Sequence, residues 1–292
     1  MQQANTILGL LAQTSIHAGT GSNTGVIDLP IQREGHNGYP CVFGSAMKGA
    51  LRTRAETQYG KSNTSVTFVF GPDTNNASEH AGAIMVSDAR LLLLPIRSLT
   101  SQFKWATCPD ALKRFQRDAD RFGVNTAKVA IPEVNGNNAV VPTQTTAGAL
   151  FLEEYRFEAK SENVDSLISS LANLIQRDDA QAALQQQLVI VSNDMFAHLC
   201  QHATPVNAHI AIDSDTKTVR SGALWYEETL PPETLLYVGI SAVNARAKDA
   251  EMPASAILGA VTGLFTDKPW LQVGGNETVG MGWCAVKNMG GK

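Results

Sequence analysis

Apolar residues recur along the chain with the periods of strands and helices. Residues 5–16 (NTILGLLAQTSI) are apolar, include β-branched positions and precede a glycine cluster, which predicts a buried strand. Met47 and Leu51 follow the helical period, which predicts a helix from Ser45, as its N-cap, to about Gly60. A strand, a long loop and a helix therefore open the chain.

Further strands and helices follow from the same two periods. The predicted strands are 65–70, 83–94, 151–159, 188–191, 222–230 and 235–245, with short ones at WLQV and WCAV near the C-terminus. The predicted helices are 110–122, 163–176, 193–202 and a small-residue segment that begins at Pro253. Apart from the helix at 110–122, residues 95–150 give no simple pattern.

Without its insertions the order is strand, helix, strand, strand, helix, strand. This is the βαββαβ order of a ferredoxin-like (RRM-like) α+β fold, whose open sheet commonly binds RNA. No repeat, low-complexity tract or linker composition divides the chain. We therefore predict one domain over residues 1–292, with its core at about 1–94 and 220–292 and large insertions at about 95–219.

Composition indicates a globular protein of the cytoplasm. Hydrophobic residues make up 43% of the chain and charged residues 17%, which is enough to build a sizeable core. There is no run of 18 apolar residues and no signal-peptide pattern, so no membrane partner is expected. The four cysteines are scattered without a CxxC pair, which fits a reducing compartment better than a disulfide framework or zinc ribbon.

The charge is distributed unevenly. The formal net charge is −4, which excludes a polycation that coats nucleic acid indiscriminately. Residues 90–128 nevertheless hold eight Lys or Arg against three Asp, whereas residues 151–180 hold seven acidic residues against three basic ones. A locally basic surface on a mildly acidic protein is compatible with selective RNA binding, although it does not require it.

Candidate chemistry concentrates in residues 17–44, which contain six glycines and two prolines. Loops of this length are usually functional. Asp28 lies in this loop, and Lys48 and Arg52 lie one turn apart on the helix that follows. A carboxylate near a helix N-terminus with basic residues suits a phosphodiester, because Mg²⁺ typically takes one or two carboxylates plus substrate phosphates. Taken alone, Asp28 is more often a loop residue that hydrogen-bonds its own backbone.

Other motifs are weaker. The glycines from Gly19 to Gly25 are spaced too widely for a dinucleotide fingerprint, and no GK[ST] phosphate loop is present. The tract GGNETVGMG fits either a hairpin turn with positive φ or a loop whose bare backbone lets RNA approach. His198 and His202 flank Cys200 on a predicted helix, but zinc needs a further ligand, so a polar helix face is favoured.

Several long blocks, in order, resemble the RAMP superfamily, and within it the backbone subunit of type III-B CRISPR (Cmr) effector complexes. These blocks span nearly the whole chain. They are HAGTG, GVIDLPIQRE, GYP and GSAMKGALR within residues 17–52, then FKWATCPDALKRFQRD (103–118), ALWYEETLPPETLLY (223–237) and VGGNETVGMGW (273–283).

The resemblance implies a palm with a β-hairpin thumb, polymerised head-to-tail along a CRISPR guide RNA. It implies cleavage of the complementary target RNA at regular six-nucleotide intervals, by attack of the target 2′-hydroxyl with a divalent metal, Mg²⁺ or Mn²⁺. The implied partners are guide RNA, target RNA, other copies of the chain and other Cmr-type subunits.

The resemblance also assigns site residues. It implies that Asp28 is the catalytic aspartate and metal ligand, assisted by His17, Glu227 and Glu228. The residues expected to contact RNA are Arg33, Ser45, Lys48, Arg52, Arg97, Lys104, Gly275, Gly280 and Gly282. The thumb is expected within residues 70–110, including Arg97, Lys104 and Trp105.

Three hypotheses remain open from the sequence. The leading one is a guide-binding filament subunit that also cleaves target RNA. The second is a purely structural backbone subunit whose nuclease partner lies elsewhere. The third is a metal-independent endoribonuclease that processes guide RNA with His17 as general acid–base.

Overall fold

A large mixed β-sheet organises the chain in the computed structural model, which describes residues 3–73, 80–126, 128–248 and 250–291. The strands are β1 (Gln3–Ala12), β2 (Cys41–Val42), β3 (Ile84–Val86), β4 (Ala89–Arg97), β5 (Phe103–Thr107), β6 (Asn138–Pro142), β7 (Gly148–Leu152), β8 (Tyr155–Glu162), β9 (Leu188–Val191), β10 (Val206–Ile212), β11 (Val219–Glu228), β12 (Leu235–Val243), β13 (Trp270–Gln272) and β14 (Trp283–Asn288). The helices are α1 (Gly44–Tyr59), α2 (Thr64–Phe70), α3 (Pro109–Arg121), α4 (Asp165–Ala172), α5 (Ala180–Gln187), α6 (Asn193–His202) and α7 (Ala254–Thr262).

The main sheet has the strand order β13-β14-β1-β12-β4-β5-β9-β6-β8-β7, with β2 paired to β4 and β3 to β12. β1 lies between β12 and β14 and is antiparallel to both. The pairs β5–β9 and β6–β8 are parallel, so the sheet is mixed. β10 and β11 form a separate two-stranded ribbon. The predicted mixed α+β class is confirmed.

Both faces of the sheet are covered. Along β1, Leu8 and Leu10 pack into one buried cluster, which also contains Leu51 of α1. Ile7 and Leu11 point the other way and join a second cluster with residues of α3 and α4. Successive side chains of a strand alternate between faces, so a strand with helices on both sides must be apolar throughout. This explains the continuous apolar run that predicted β1.

Most long elements lie where the sequence placed them, including β1, α1, α3, β9, α6, β11 and β12. The residue that caps α1 differs from the prediction. Phe43 is the N-cap, and Ser45 lies in the first turn. The N–H of Gly44 instead donates to Asp88 Oδ1 at 2.7 Å.

Three predicted elements are corrected. Residues 65–70 form helix α2 and not a strand, because Asn63 caps the segment by accepting from the N–H of Ser65. Residues 83–94 divide into β3 and β4. The predicted strand 151–159 is a hairpin, with Glu153 at φ +50° in the turn between β7 and β8. β5, β6, α5 and β10 were not predicted.

Among the residues that the structure describes, none of the helices is long and apolar enough to cross a membrane.

Candidate active site

The glycine-rich loop after β1 has a fixed path because its backbone pairs with β11 and the residues after it. The N–H of Leu29 donates to the carbonyl of Tyr226, and the N–H of Glu228 donates to the carbonyl of Leu29, both at 3.0 Å. Ile16 and Leu230 form an antiparallel bridge, in which the N–H of each donates to the carbonyl of the other at 2.9 Å. The loop therefore runs beside the end of β11 as an additional, irregular strand.

Asp28 is half-buried at the edge of this contact. Its Oδ2 accepts from the N–H of Tyr226 at 2.8 Å, so its partner is β11 and not its own turn. In the described part of the chain, Oδ1 has no hydrogen-bond partner and the carboxylate makes no ion pair. One oxygen is thus fixed by the protein while the other is free to meet a ligand.

His17, Glu227 and Asn276 form a second, more buried group. His17 Nδ1 lies 2.8 Å from the carbonyl of Glu228, which can only accept, so Nδ1 carries a proton and donates it. The same Nδ1 lies 3.9 Å from Glu227 Oε1. Asn276 Nδ2 donates to that oxygen at 2.6 Å. This arrangement fixes the imidazole through Nδ1 and leaves Nε2 without a hydrogen-bond partner among the described residues.

Glu228 does not face the same way. It is buried, and its carboxylate pairs with Arg33 and accepts from the N–H of Ile31 at 3.1 Å and from Thr204 Oγ1 at 2.6 Å. These contacts hold the loop against β11 and α6. These contacts do not favour the expected catalytic role of Glu228, which stays a prediction, and they give the carboxylate a part in positioning the loop.

Arg33 is likewise occupied within the protein. Besides Glu228, its guanidinium donates to the carbonyls of Gly38 and Cys200, each at 2.8 Å. A guanidinium that already satisfies buried acceptors is not available for phosphate. The expected RNA contact of Arg33 is therefore not supported, and the residue closes the loop instead.

The N-terminus of α1 was predicted to bind an anion, and the structure places a protein carboxylate there. Asp88 already places a carboxylate on the first N–H of α1, where an anion was expected to bind. Ser45 is exposed. Lys48 is half-buried, and its pKa is lowered first by desolvation and then by the charges of Arg52 and Arg246. Lys48 therefore remains a suitable phosphate contact, and Arg246 is a neighbouring cation that the sequence did not single out.

The other basic candidates are mostly neutralised. Arg52 donates to Glu56 Oε1 at 2.8 Å and also pairs with Asp73, so these acids compete with RNA for its guanidinium and its RNA contact stays a prediction. Arg97 is exposed but forms a two-pronged ion pair with Glu153. Four of the eight basic residues of segment 90–128 therefore form ion pairs within the described part of the chain, Arg97 among them. Its further pairs are Arg90–Asp118, Lys113–Glu133 and Arg114–Glu34.

The expected thumb segment lies mostly in the main sheet. Lys104 is buried, its Nζ donates to the carbonyl of Gln186 at 2.7 Å, and burial lowers its pKa. Trp105 is also buried. RNA contact by Lys104 and a thumb at 70–110 are therefore not supported, although residues 74–79 lie outside the described part. The β10–β11 ribbon is the hairpin that stands apart, with Ile212 and Leu224 exposed.

The C-terminal glycine loop packs beside His17. The N–H of Gly275 donates to the carbonyl of His17 at 2.8 Å, and a Cβ on Gly274 would lie 2.4 Å from that oxygen. Gly275 and Gly280 are exposed, whereas Gly282 is buried at φ +87°. The first two can be approached by RNA, and Gly282 serves the turn. Asn276 was not predicted as a site residue. The one signal for it in the sequence is its position within a glycine-rich turn.

The described residues offer no ready-made metal cage. Within residues 3–73, 80–126, 128–248 and 250–291, no three His, Cys, Asp or Glu side chains are grouped to hold a metal ion. His198 is bonded to the hydroxyl of Tyr155 at 2.8 Å, which fits the favoured polar helix face. Asp28 offers a single free carboxylate oxygen, which suits only an ion that takes its other ligands from RNA phosphates and water.

Comparison with known proteins identifies the family. The RAMP superfamily model matches residues 10–285. The CRISPR system Cmr endoribonuclease Cmr4 of Pyrococcus furiosus is 35% identical over 283 residues, covering 96% of this chain and 94% of that protein. The CRISPR system CMR subunit Cmr4 of Saccharolobus solfataricus is 23% identical over 295 residues, covering 93% of this chain and 92% of that protein.

Solved structures agree in fold. A crystal structure of oligomeric Cmr4 from Pyrococcus furiosus has a TM-score of 0.73 at 28% identity and covers 97% of both chains. A cryo-EM structure of the type III-B Cmr-beta complex bound to cognate target RNA has a TM-score of 0.72 at 20% identity, covering 98% of this chain and 97% of that one, and shows likeness of fold alone. The resemblance in the sequence is confirmed, and the chain belongs to the RAMP superfamily as a relative of Cmr4.

Proposed function

We propose that the chain binds guide RNA as a filament subunit of a type III-B CRISPR effector and cleaves the bound target RNA. The observation that carries this proposal is Asp28, which is held to β11 by one oxygen and keeps the other free. A relative that is 35% identical over 96% of the chain is named an endoribonuclease, which supports the same activity.

The assembly is proposed to be head-to-tail. A related Cmr4 crystallised as an oligomer, which supports contact between copies of this chain. Head-to-tail contacts do not close by themselves, so the filament would end where guide RNA and other Cmr-type subunits end it. All four cysteines are free and buried, which fits a reducing cytoplasm.

The finer fold prediction also becomes a proposal. In the main sheet β14 lies beside β1, β12 lies on its other side, and β3 and β4 follow. The last strand beside the first is the order of a ferredoxin-like palm, which supports that assignment. The exposed β10–β11 ribbon replaces residues 70–110 as the proposed thumb.

In the proposed reaction, the 2′-oxygen of the target attacks the adjacent phosphorus, and the bond from phosphorus to the 5′-oxygen breaks. The unprotonated Nε2 of His17, held in place by the Glu228 carbonyl, would take the proton of the 2′-hydroxyl, and water would supply the proton that the departing 5′-oxygen gains. The free oxygen of Asp28 would orient the reacting ribose and phosphate through a bound ion. A bound Mg²⁺ or Mn²⁺ would be held by Asp28 together with RNA and would neutralise phosphate charge.

A structural role for Asp28 is the main competitor. The bond from the N–H of Tyr226 would alone explain an aspartate at this position, because it anchors the loop. If anchoring the loop were the whole role of Asp28, the subunit would bind guide RNA and leave cleavage to a partner. The experiment must therefore use a variant that keeps the oxygen that accepts from Tyr226 but removes the negative charge.

Asp28→Asn provides that separation, because its side-chain oxygen still accepts from Tyr226 while the charge is lost. In the assembled complex with Mg²⁺, we expect target RNA to bind within about twofold of the original affinity, whereas cleavage slows by about 100-fold or more. The measurement is the size ladder of end-labelled target RNA, predicted at regular six-nucleotide steps. Asp165→Asn, on the exposed first turn of α4, is the matched control.

The outcomes distinguish all three hypotheses. Normal cutting by Asp28→Asn removes Asp28 from catalysis and supports a structural subunit or a nuclease elsewhere. Cleavage that survives EDTA and is lost in His17→Ala indicates the metal-independent guide-processing enzyme. Loss of the ladder in Asp28→Asn and in EDTA supports the proposal.

A further inference from the structure

The Nε2 edge of the His17 imidazole lies against Gly19. A Cβ on Gly19 would lie 2.6 Å from His17 Nε2, 3.3 Å from Cε1 and 3.4 Å from Cδ2. Apart from the chain neighbours of Gly19, the three atoms nearest to that position all belong to the imidazole. A methyl group here would therefore have to displace the ring or the backbone. The imidazole can occupy its place because position 19 has no side chain.

The backbone conformation does not explain a glycine at this position. Gly21 and Gly38 of the same loop have φ of +94° and +73°, in the left-handed region that favours glycine. The φ of Gly19 lies outside that region, so other residues can adopt its backbone conformation. The φ of Gly35 also lies outside it, and no atom lies within 4 Å of a Cβ built there. What distinguishes Gly19 is the space that it leaves for the ring.

The backbone of Gly19 is held from the side away from the imidazole. Gly19 forms an antiparallel bridge with Ile31, and the N–H of Thr20 donates to the carbonyl of Pro30 at 3.1 Å. The side chain of Gln32 donates through Nε2 to the carbonyl of Gly19 at 3.0 Å. The end of a side chain moves more easily than a paired backbone. A clash at position 19 would therefore be relieved by movement of the imidazole.

The imidazole has little freedom to move without losing its alignment. Its Nδ1 donates to the carbonyl of Glu228 at 2.8 Å, and His17 is only 9% exposed. Gly19 is half-buried and lines a groove of about 820 Å³, so a side chain here would also fill the space beside Nε2. Displacement of the ring would move Nε2 and weaken the hydrogen bond at Nδ1.

We propose that Gly19 is a positioning residue of the cleavage reaction: it leaves the space in which His17 Nε2 faces the 2′-hydroxyl of the target. Gly19 acts through the imidazole and supplies no group of its own to the reaction. The proposal rests on the proposed function, because it assumes that Nε2 takes the proton of the 2′-hydroxyl. It deepens that function by giving a role to a glycine that the spacing of glycines in the loop did not explain.

Gly19→Ala tests the proposal in the assembled complex with Mg²⁺. We expect single-turnover cleavage to slow by about 100-fold, with target RNA bound within about twofold of the original affinity, because a small misplacement lowers the rate and not the binding. Gly35→Ala is the matched control, since it adds the same methyl group to the same loop without a contact or a positive φ. This control should cleave at the original rate, and the original rate in Gly19→Ala would overturn the proposal.

A double variant separates positioning of His17 from a general effect on the loop. In a His17→Ala background the ring is absent, so Gly19→Ala should cause no further loss of rate. The fall in rate at acid pH that an unprotonated base produces should be lost from Gly19→Ala and from His17→Ala alike. Losses that multiply in the double variant would show that Gly19 acts independently of His17, which would overturn the proposal. The original rate in His17→Ala would overturn it as well.

An NMR measurement without RNA applies even if the Gly19→Ala complex does not assemble. In the full chain with isotope-labelled histidine side chains, the signals of His17 are those that disappear in His17→Ala. We expect Gly19→Ala to shift these signals and Gly35→Ala to leave them in place, and unshifted signals in Gly19→Ala would contradict the proposal. If the unmodified complex leaves target RNA intact, the proposed function fails and this inference with it. If the unmodified complex and Gly19→Ala cleave equally, this inference alone fails.

Discussion

At the scale of single residues, the three acids near the loop after β1, which are Asp28, Glu227 and Glu228, have three different environments. Glu227 and Glu228 are adjacent, yet they lie on opposite sides of β11, as alternation along a strand requires. Glu227 meets His17 and Asn276, whereas Glu228 meets Arg33. The sequence could nominate all of these acids, but it could not separate them, because the partners lie far away along the chain.

Asn276 is predicted to position Glu227 and, through it, His17. Asn276 has φ +60°, so Asn276→Gly removes the amide without straining the backbone. We expect this variant to slow cleavage about tenfold or more, with RNA affinity preserved, because a misplaced group lowers the rate without lowering binding. Single-turnover cleavage by the assembled complex is the measurement.

Asn276→Asp gives the control that a purely structural role would not satisfy. It places a second carboxylate against Glu227, and two carboxylates that share a site raise the pKa of one of them. Activity should therefore recover as pH falls, whereas the glycine variant should follow the original pH profile apart from its lower rate. Full activity in both variants would show that Asn276 has no part in the reaction.

At the scale of elements, the sequence succeeds where a long stripe of residues is buried and fails for short apolar runs. In α3, Leu112, Phe115 and Ala119 are buried at helical spacing, and the helix was predicted nearly to its ends. The run SVTFVF has no such length, and only the cap at Asn63 reveals a helix. β10 was missed because most of its residues are exposed, so it has no buried face to create a pattern.

The C-terminal glycine loop offers a matched pair of substitutions, at Gly280 and Gly282. Gly280 has φ +85° and open space around it, so Gly280→Ala should cost about 1 kcal/mol from backbone strain alone. A Cβ on Gly282 would also lie 2.2 Å from the carbonyl oxygen of Val273, so Gly282→Ala should cost about 3 kcal/mol or more. Urea unfolding measures both values. Equal losses would mean that the turn rearranges freely around residue 282.

At the scale of the whole molecule, net charge and segment charge were poor guides to the surface. Four of the eight basic residues in the stretch 90–128 pair with acids, three of them with acids outside the stretch, as in Lys113–Glu133 and Arg114–Glu34. Composition cannot anticipate such pairing, because it depends on the completed fold. The same holds for the main sheet, whose unpredicted strands β5 and β6 extend it through the expected insertion.

Because its four thiols are buried, the protein is expected to lose folding stability at alkaline pH. Burial raises the pKa of Cys41 to about 11 and of Cys284 to about 12, and it also raises the pKa of Cys108 and Cys200. Unfolded thiols ionise near about 8.5, so above that pH the unfolded state releases protons that the folded state keeps. The free energy of unfolding is therefore at its full value below about pH 8.5. It falls as pH rises toward 11, by about 1.4 kcal/mol per pH unit for each thiol.

The free energy of unfolding, measured in urea at about pH 8 and about pH 10 under reducing conditions, tests this expectation. Cys284→Ala should reduce the pH dependence by one proton, since that thiol is fully buried. A stability that is constant across this range would show that the thiols are not protected by the fold.

One continuous strand joins the exposed ribbon to the candidate active site. β11 begins in the ribbon and ends at Glu228, and its Tyr226 N–H fixes Asp28 on the way. Because Tyr226 belongs to the strand that forms half of the ribbon, a displacement of the ribbon on binding would be transmitted along β11 to the amide that orients Asp28. The ribbon and the carboxylate are therefore expected to respond to binding together.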